Sequence, residues 1–465
     1  MNIYTLLSIL MHMKFNKLNI DYTTNTKLFL VFYLVLFFSF DNICFSQNGL
    51  SVLRVNGRNL IDSCGQIILL RGVNHGNIWT SNFGMSEFPE IAKTGANCVR
   101  ICLERKYEYY VQGETRLADL TGDILETIIQ AALLQKLIPI VELHDFTDGN
   151  IDQHDDIKRN LDSAVYFWTK PSILTVLKKH SRFLILNIAN EPEHWENTEL
   201  QFFEACSSAV SAIRATGLKV PIMLDGMLSG TDEKFFQNTD YGKNLLNIDP
   251  EQNLLFSVHT YWLQSEVSDY EISERFKNMY ESNLPYVIGE FAYALGKTCI
   301  YPISYHLMMD LCQQYHIGYL YWWWGFFNPG SNNCLSMTQL GTFDNLSDQG
   351  LEVAVTYKNS IKNTSKQSHL FSFGNCVTDW ITDNENHEFL ISPNPTNGSF
   401  LISSDIKFKS VEVFSVNGES IPIIENSNSS FAIFQPTSGV YIVFIKFLDN
   451  SYFTKKLVVV DNIIK

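Results

Sequence analysis

The stretch Leu184 to Trp195, Leu-Ile-Leu-Asn-Ile-Ala-Asn-Glu-Pro-Glu-His-Trp, is an apolar, strand-forming run that stops abruptly at Asn190 and Glu191. Strands of a buried parallel sheet read as continuous apolar stretches, so this run is expected to carry an amide and a carboxyl group to its own C-terminal end. A second run, Tyr286-Val287-Ile288-Gly289-Glu290-Phe291, repeats the design and ends in another glutamate. In α/β barrels the chemistry sits at that end of the strands. Two carboxyl groups delivered there suggest glycoside hydrolysis.

Working outward, strand-like runs recur with helical patterns between them: Ile67 to Val73, Asn97 to Cys102, Ile138 to Leu143, Leu184 to Ala189, Pro221 to Asp225, Leu254 to His259, Tyr286 to Glu290 and Tyr319 to Trp323. Helical spacing covers Ile124 to Lys136, Ser207 to Thr216 and Tyr305 to Tyr315. Eight such alternations fit a (β/α)8 TIM barrel, with an open doubly wound sheet as runner-up. A dinucleotide-binding sheet would need a Gly-rich turn after its first strand, and Arg71-Gly72-Val73-Asn74-His75-Gly76 lacks that spacing. Ahead of the barrel, Leu53 to Ile68 alternates around the turn signals Asn56-Gly57 and Cys64-Gly65 and reads as a hairpin closing the barrel floor.

Past Tyr357-Lys358-Asn359 the composition changes. Residues 363–388 are rich in Asn, Ser, Thr, Asp and Lys and read as a linker. Short strands then come at Phe389 to Ser392, Ser399 to Ile402, Val411 to Val416, Ser430 to Phe434, Val440 to Leu448 and Tyr452 to Val460, which predict a small antiparallel β-sandwich. The expected organisation is therefore a leader at 1–46, a barrel at 50–362, a linker at 363–388 and a sandwich at 389–465.

The chain has 465 residues, enough for one large domain and one small one. A net charge of -15 argues against a nucleic-acid partner, which would demand clustered Lys and Arg, but is compatible with a neutral polymer. At the N-terminus Lys27 precedes the apolar run Leu28 to Phe40, and Cys44-Phe45-Ser46 offers a signal-peptidase cut before Gln47, with Met13 as a second candidate start. The run is shorter than a membrane span, and a lipid anchor on Cys44 is a second reading. No cysteine spacing makes a zinc site, and no metal or cofactor is expected. Cys98 and Cys102 read as small core residues, while Cys299 and Cys334 are candidates for a disulfide.

Placing the strand ends on one rim gathers Arg100, His144, Asn190, Glu191, His259, Tyr261, Glu290 and Trp322. Retaining hydrolysis needs one protonated and one ionised carboxyl group about 5 Å apart. Glu191 is the expected acid/base, with Asn190 beside it and His259 opposite. Glu290 is the expected nucleophile, kept ionised by Arg100 and oriented by Tyr261. Trp322 is the candidate floor of a sugar subsite, with Trp79 and His75 as further contacts; Trp195 and Trp262 also come directly after strands. Trp168, Trp323 and Trp324 read as packing.

These residues also carry a resemblance. Asn-Ile-Ala-Asn-Glu-Pro at 187–192, His-Thr-Tyr at 259–261, Val-Ile-Gly-Glu-Phe at 287–291 and Tyr-Trp-Trp-Trp-Gly at 321–325 together resemble glycoside hydrolase family 5, the cellulase-like retaining enzymes. Within it, Leu-Arg-Gly-Val-Asn-His-Gly-Asn-Ile-Trp at 70–79, Ala-Lys-Thr-Gly-Ala-Asn-Cys-Val-Arg at 92–100, Val-Glu-Leu-His-Asp at 141–145 and Phe-Ser-Val-His-Thr-Tyr at 256–261 look most like bacterial endo-β-1,4-mannanases. Pro192 stands where those mannanases commonly place Trp, and Cys102 to Thr121 matches them poorly. The resemblance implies a monomeric enzyme acting on a β-linked polysaccharide, mannan or glucan. The alternatives are a β-1,4-endoglucanase and, more remotely, a non-catalytic glycan-binding barrel. The tail, with Ser392-Pro393-Asn394-Pro395-Thr396-Asn397-Gly398, Val413-Phe414-Ser415-Val416-Asn417-Gly418, Ser438-Gly439-Val440-Tyr441-Ile442-Val443 and Lys455-Lys456-Leu457-Val458-Val459, resembles the C-terminal sorting domain of the bacterial type IX secretion system. That implies export through this machinery, a secreted or cell-surface location, and removal or anchoring of the tail. A carbohydrate-binding module is the competing reading of the tail.

Overall fold

A computed structural model describes residues 52–111, 114–147, 156–193, 197–296, 298–325, 334–368, 371, 389–404, 407–415, 420–427, 429–447 and 452–460. The leader at 1–46, Trp195 and linker residues 372–388 lie outside them. Eight parallel strands close into a barrel: β1 Arg71–His75, β2 Cys98–Leu103, β3 Ile138–Leu143, β4 Ile185–Asn187, β5 Ile222–Asp225, β6 Leu254–His259, β7 Tyr286–Glu290 and β8 Gly318–Tyr321. Each pairs with its neighbours in chain order, and β8 closes on β1 through Tyr319–Arg71 to Tyr321–Val73. The barrel expectation holds; β1 begins four residues later than its sequence run, and β4 is shorter than its own.

The strands explain where polarity collects. Successive side chains on a strand alternate between faces, so residues two apart share the barrel interior. One interior layer is apolar, with Cys98, Ile140, Ile185, Met223, Leu255 and Leu320 in a common buried cluster. Two residues further along the same strands stand Arg100, Glu142, Asn187, Asp225 and Ser257, each buried. The floor is therefore greasy and the mouth is polar. The hairpin Leu53–Asn56 with Asn59–Asp62 plugs the floor: its turn uses Gly57 at φ 58°, and Leu53 and Leu60 join the apolar cluster. Helices pack around the barrel, including Gly122–Leu134 capped by the Thr121 side chain, Ile157–Trp168 capped by Asp156, and Glu199–Ala215 with a Thr198/Gln201 capping box.

Three features differ from expectation. The linker begins later than residue 363, because the chain stays tied to the floor through Phe371. Asn97 Nδ2 donates to Lys366 O (2.9 Å), Gln367 Nε2 to Ala96 O (2.7 Å) and Ser368 Oγ to Asp62 (2.8 Å), while Phe371 stacks on Phe183 at 3.9 Å. Polar composition hid this segment, whose bonds go to the Asn97 side chain, the Ala96 carbonyl and Asp62. After β2 a second hairpin, Lys106–Val111 with Glu114–Asp119, projects from the barrel, and Tyr107 meets Phe83 edge-on at 4.9 Å. Finally, the tail adds two strands to those expected, Ser420–Ile421 and Ile423–Ser427, completing two four-stranded antiparallel sheets around Phe400, Phe431, Val443 and Leu457. A disulfide joins Cys299 to Cys334, linking the loop after β7 to the loop after β8. Cys98 and Cys102 are buried free thiols, as expected of core residues.

Candidate active site

Arg100 on β2 is the centre of the polar layer. Its guanidinium has no exposure and donates to Asn187 Oδ1 (2.8 Å), Asn74 Oδ1 (3.0 Å), Asn190 Oδ1 (2.7 Å) and Glu290 Oε1 (2.7 Å), with Asp225 Oδ2 at 3.4 Å. Burial alone would weaken its charge. The carboxylates of Glu142, Asp225 and Glu290 outweigh that, and its pKa is raised above the ordinary value.

Glu290 ends β7, where the β6–β7 register shifts between Val258 and His259 so that His259 lies opposite Glu290. Such a bulge re-aims a side chain. Besides Arg100, Glu290 accepts from the Tyr261 hydroxyl at 2.7 Å. That phenol stays protonated: burial, then the neighbouring Glu290 charge, raises its pKa well above the ordinary range. Gly289 is required beside it, since a Cβ there would come 2.0 Å from Ser257 Oγ and 3.1 Å from His259 Nε2.

Glu191 lies just past β4 in left-handed backbone at φ 40°, rare for a residue with a side chain, and its N–H donates to Asp225 Oδ2 at 3.1 Å. Its Oε1 lies 2.6 Å from His259 Nδ1. Burial raises the Glu191 pKa, although the bond to His259 opposes the rise. His259, also without exposure, is raised to about 9: burial lowers it, but Glu290, Asp225 and Glu191 together overcome that. The contact therefore joins a carboxyl group that burial biases toward its protonated form to an imidazole that its acidic neighbours bias toward its charged form. A carboxylate oxygen of Glu191, His259 and a carboxylate oxygen of Glu290 all come within 4.8 Å of one another.

At the rim, Trp322 stacks on His144 with ring centroids 5.4 Å apart, and Trp79 meets His144 edge-on at 5.1 Å. Trp79 is half exposed, and its indole N–H donates to Glu104 at 3.0 Å. Glu142 holds His144 Nδ1 at 2.8 Å; burial lowers the His144 pKa, but Glu142 outweighs it and the net shift is upward. The sequence therefore located Arg100, His144, Asn190, Glu191, His259, Tyr261, Glu290, Trp322 and Trp79 in one region. Asn190 differs in detail: its described bonds go to Arg100, Thr147 (2.7 Å) and His144 (3.3 Å) rather than to Glu191.

His75 is a correction. It has no exposure, its Nε2 is 2.9 Å from Glu87, its ring packs edge-on against Phe88, and Gly84 lies so close that a Cβ would reach it at 2.0 Å; it is a core residue, not a sugar contact. Trp262 is likewise packing, buried under the Arg275 guanidinium at 4.7 Å. Trp168, Trp323 and Trp324 are buried as expected. Sequence reasoning missed Asn74, Glu142, Asn187 and Asp225. Their signal was present: Glu142, Asn187 and Asp225 are polar residues on otherwise apolar strands in phase with Arg100, and Asn74 pairs directly with Arg100.

Two groups bring potential metal ligands within 4.8 Å among the described residues: Cys102, Glu142 and His144, and Glu191, His259 and Glu290. In both, carboxylate and imidazole already bind each other, and the Arg100 guanidinium lies 3.8 Å from Glu142 and 2.7 Å from Glu290, where its charge opposes a cation.

Residues 61–328 match the family model for cellulase (glycosyl hydrolase family 5), and residues 390–460 match the secretion system C-terminal sorting domain. The chain is 28% identical over 337 residues to a mannan endo-1,4-beta-mannosidase of Cellvibrio japonicus, covering 70% of this chain and 72% of that protein. It is 26% identical to a second mannan endo-1,4-beta-mannosidase, from Salipaludibacillus agaradhaerens, covering 69% and 96%. Among solved structures, the mannohexaose complex of Thermomonospora fusca beta-mannanase superposes with a TM-score of 0.59 at 25% identity, covering 69% of this chain and 100% of that one. The family match spans more than half of the sequence and falls on the barrel that holds Arg100, Glu191, His259 and Glu290, so the chain belongs to glycosyl hydrolase family 5.

Proposed function

We propose that this glycoside hydrolase is a secreted endo-β-1,4-mannanase that works with retention, Glu191 serving as acid/base and Glu290 as nucleophile. The observation that carries the mechanism is the pair of carboxyl groups whose oxygens approach within 4.8 Å while their surroundings differ. Retaining glycosidases hold their carboxyl groups about 5 Å apart, whereas inverting ones need about 6.5–9.5 Å to admit a water. Burial favours a proton on Glu191, and Arg100 and Tyr261 hold Glu290 as an acceptor. In the first step the Glu191 proton passes to the glycosidic oxygen as Glu290 attacks the anomeric carbon, giving a glycosyl-enzyme and the released sugar. In the second, Glu191 takes a proton from water, the resulting oxygen nucleophile displaces Glu290, and both carboxyl groups return to their starting states.

Mannan as substrate is supported by the named activities of the relatives, and export by the sorting tail, whose type IX route and subsequent removal or anchoring are part of the same proposal. Pro192 after Glu191 favours one second reading, a β-1,4-endoglucanase. The test compares initial rates on glucomannan, galactomannan and carboxymethylcellulose and tracks the anomeric configuration of the first product by NMR. Faster mannan cleavage with β-configured product is expected. No release from any mannan ends the substrate reading, and an α-configured first product ends the mechanism.

A further inference from the structure

Asp225 ends β5 and is 3% exposed, yet neither the chemistry nor the substrate reading gives it a task. Its two oxygens reach four groups on three other strands. Oδ1 accepts from Asn187 Nδ2 at 3.1 Å, while Oδ2 accepts from the Glu191 backbone N–H at 3.1 Å and lies 3.4 Å from Arg100 Nη2 and 3.5 Å from His259 Nε2. Two of these contacts converge on Glu191. One fixes the peptide of a non-glycine residue at φ 40°, a conformation that persists where surrounding bonds impose it. The other faces the imidazole that bonds the Glu191 carboxyl at 2.6 Å.

We propose that Asp225 is the positioning residue of the acid half of the site, holding the Glu191 main chain in its left-handed turn and supplying the negative charge behind His259. This rests on the reading of Glu191 as acid/base. His259 is enclosed by charged groups from several strands: Glu191 after β4, Asp225 on β5 and Glu290 on β7, the last with Oε2 3.8 Å from Nδ1. Asp225 itself faces Arg100 on β2, His259 on β6 and, from helix Glu199–Ala215, the buried Cys206 thiol, whose proton it helps retain. The imidazole carries its charge up to about 9 because burial is outweighed by Glu290, Asp225 and Glu191. Removing the Asp225 charge while keeping its shape therefore weakens the hold of His259 on its proton and, because an amide offers one accepting oxygen in place of two, leaves the Asn187 amide and the Glu191 peptide N–H competing for it.

An acid that is misplaced or short of its proton matters when the leaving group needs protonation and matters little when it does not. The test uses Asp225→Asn with phenyl and 2,4-dinitrophenyl β-mannobiosides, and the pH profile of kcat/KM on the phenyl substrate. A loss of about 100-fold is expected on the phenyl substrate, the scale of a catalytic group displaced by about 1 Å. A loss under about threefold is expected on the dinitrophenyl one, since general acid assistance is what that leaving group dispenses with. The alkaline limb should move to lower pH by about one unit, as expected for a group that loses one neighbouring opposite charge. Glu191→Gln, run alongside, should show the same dependence on leaving group. A flat response there overturns the acid assignment and this proposal with it; a steep response there but equal losses in Asp225→Asn, with an unmoved alkaline limb, overturns this proposal alone. Should Asp225→Asn fail to fold, Asp225→Glu keeps the charge and shifts the oxygens: loss confined to the phenyl substrate with the alkaline limb in place supports the role, and equal loss on both sinks it.

Discussion

Replacing Tyr261 with Phe removes one oxygen and leaves the ring, so it isolates the 2.7 Å bond to Glu290. The bond is charge-assisted and buried, and such bonds contribute about 1.5–3 kcal/mol. At about 1.4 kcal/mol per tenfold change, the expected fall in kcat is roughly 10- to 150-fold. The geometry also says what goes wrong. Glu290 Oε2 already lies 3.8 Å from His259 Nδ1, the nitrogen that serves Glu191 at 2.6 Å. Without the hydroxyl, Oε2 is drawn toward that imidazole and turns away from the position it needs for attack. Because burial and the Glu290 charge keep the phenol protonated throughout the working range, the loss should be the same at every pH at which the wild type is active. Steady-state kcat on mannohexaose, measured across pH beside the wild type, is the assay. A loss below about threefold, less than the weakest buried charge-assisted bond would give, refutes the reasoning.

Other consequences are open to measurement. Glu193 is buried, and burial together with the nearby Asp232 raises it to about 7 from 4.5, against the Leu228 N–H that favours its charge. Its folded-state value exceeds the unfolded one, so its contribution is full below pH 4.5 and is lost as pH rises through 7, about 3 kcal/mol at most. Glu193→Gln should flatten the fall in thermal stability across that window, and an unchanged slope in unfolding scans argues against it. Trp79→Ala should raise KM for mannohexaose by about 3- to 10-fold, the scale of a lost aromatic contact, with little change in kcat; a kcat effect with unchanged KM contradicts its placement at the rim. A chain ending at Lys362 loses the floor bonds of Lys366, Gln367 and Ser368 and the Phe371–Phe183 stack. At about 1 kcal/mol for each bond and for the stack, it should melt roughly 10 °C below one ending at Phe371, and equal melting temperatures would place the true domain end earlier.

The barrel was legible because a buried strand leaves a plain mark, an apolar run of fixed length, and the site was legible where such a run ended in a reactive residue. Glu191, Glu290 and His259 carry that mark, whereas Arg100 stands in the middle of β2. Asp225 carried it too, as the last residue of its run, but an aspartate at a strand end reads as a boundary until its partners on other strands are known. Asn74 and Glu142 stand within their strands and Asn187 within a longer apolar run, where one polar residue looks like noise; their meaning comes from pairing across the barrel, which no local pattern encodes. His75 failed in the opposite direction. It occupies a strand end, but Glu87, Phe88 and Gly84 close over it from a segment whose backbone turns left-handed at Asn82 and Phe83, and short-range periodicity does not foresee such a path.

The tie between Phe371 and the floor also sets the point where the chain leaves the barrel. The chain leaves the barrel at the end opposite the glutamates, beside Phe183 and Asp62. An enzyme tethered to a surface through the chain beyond Phe371 would be attached at the end away from the glutamates, so a long polysaccharide could reach them without crossing the point of attachment. One released by cutting the tail would lose nothing from the catalytic end.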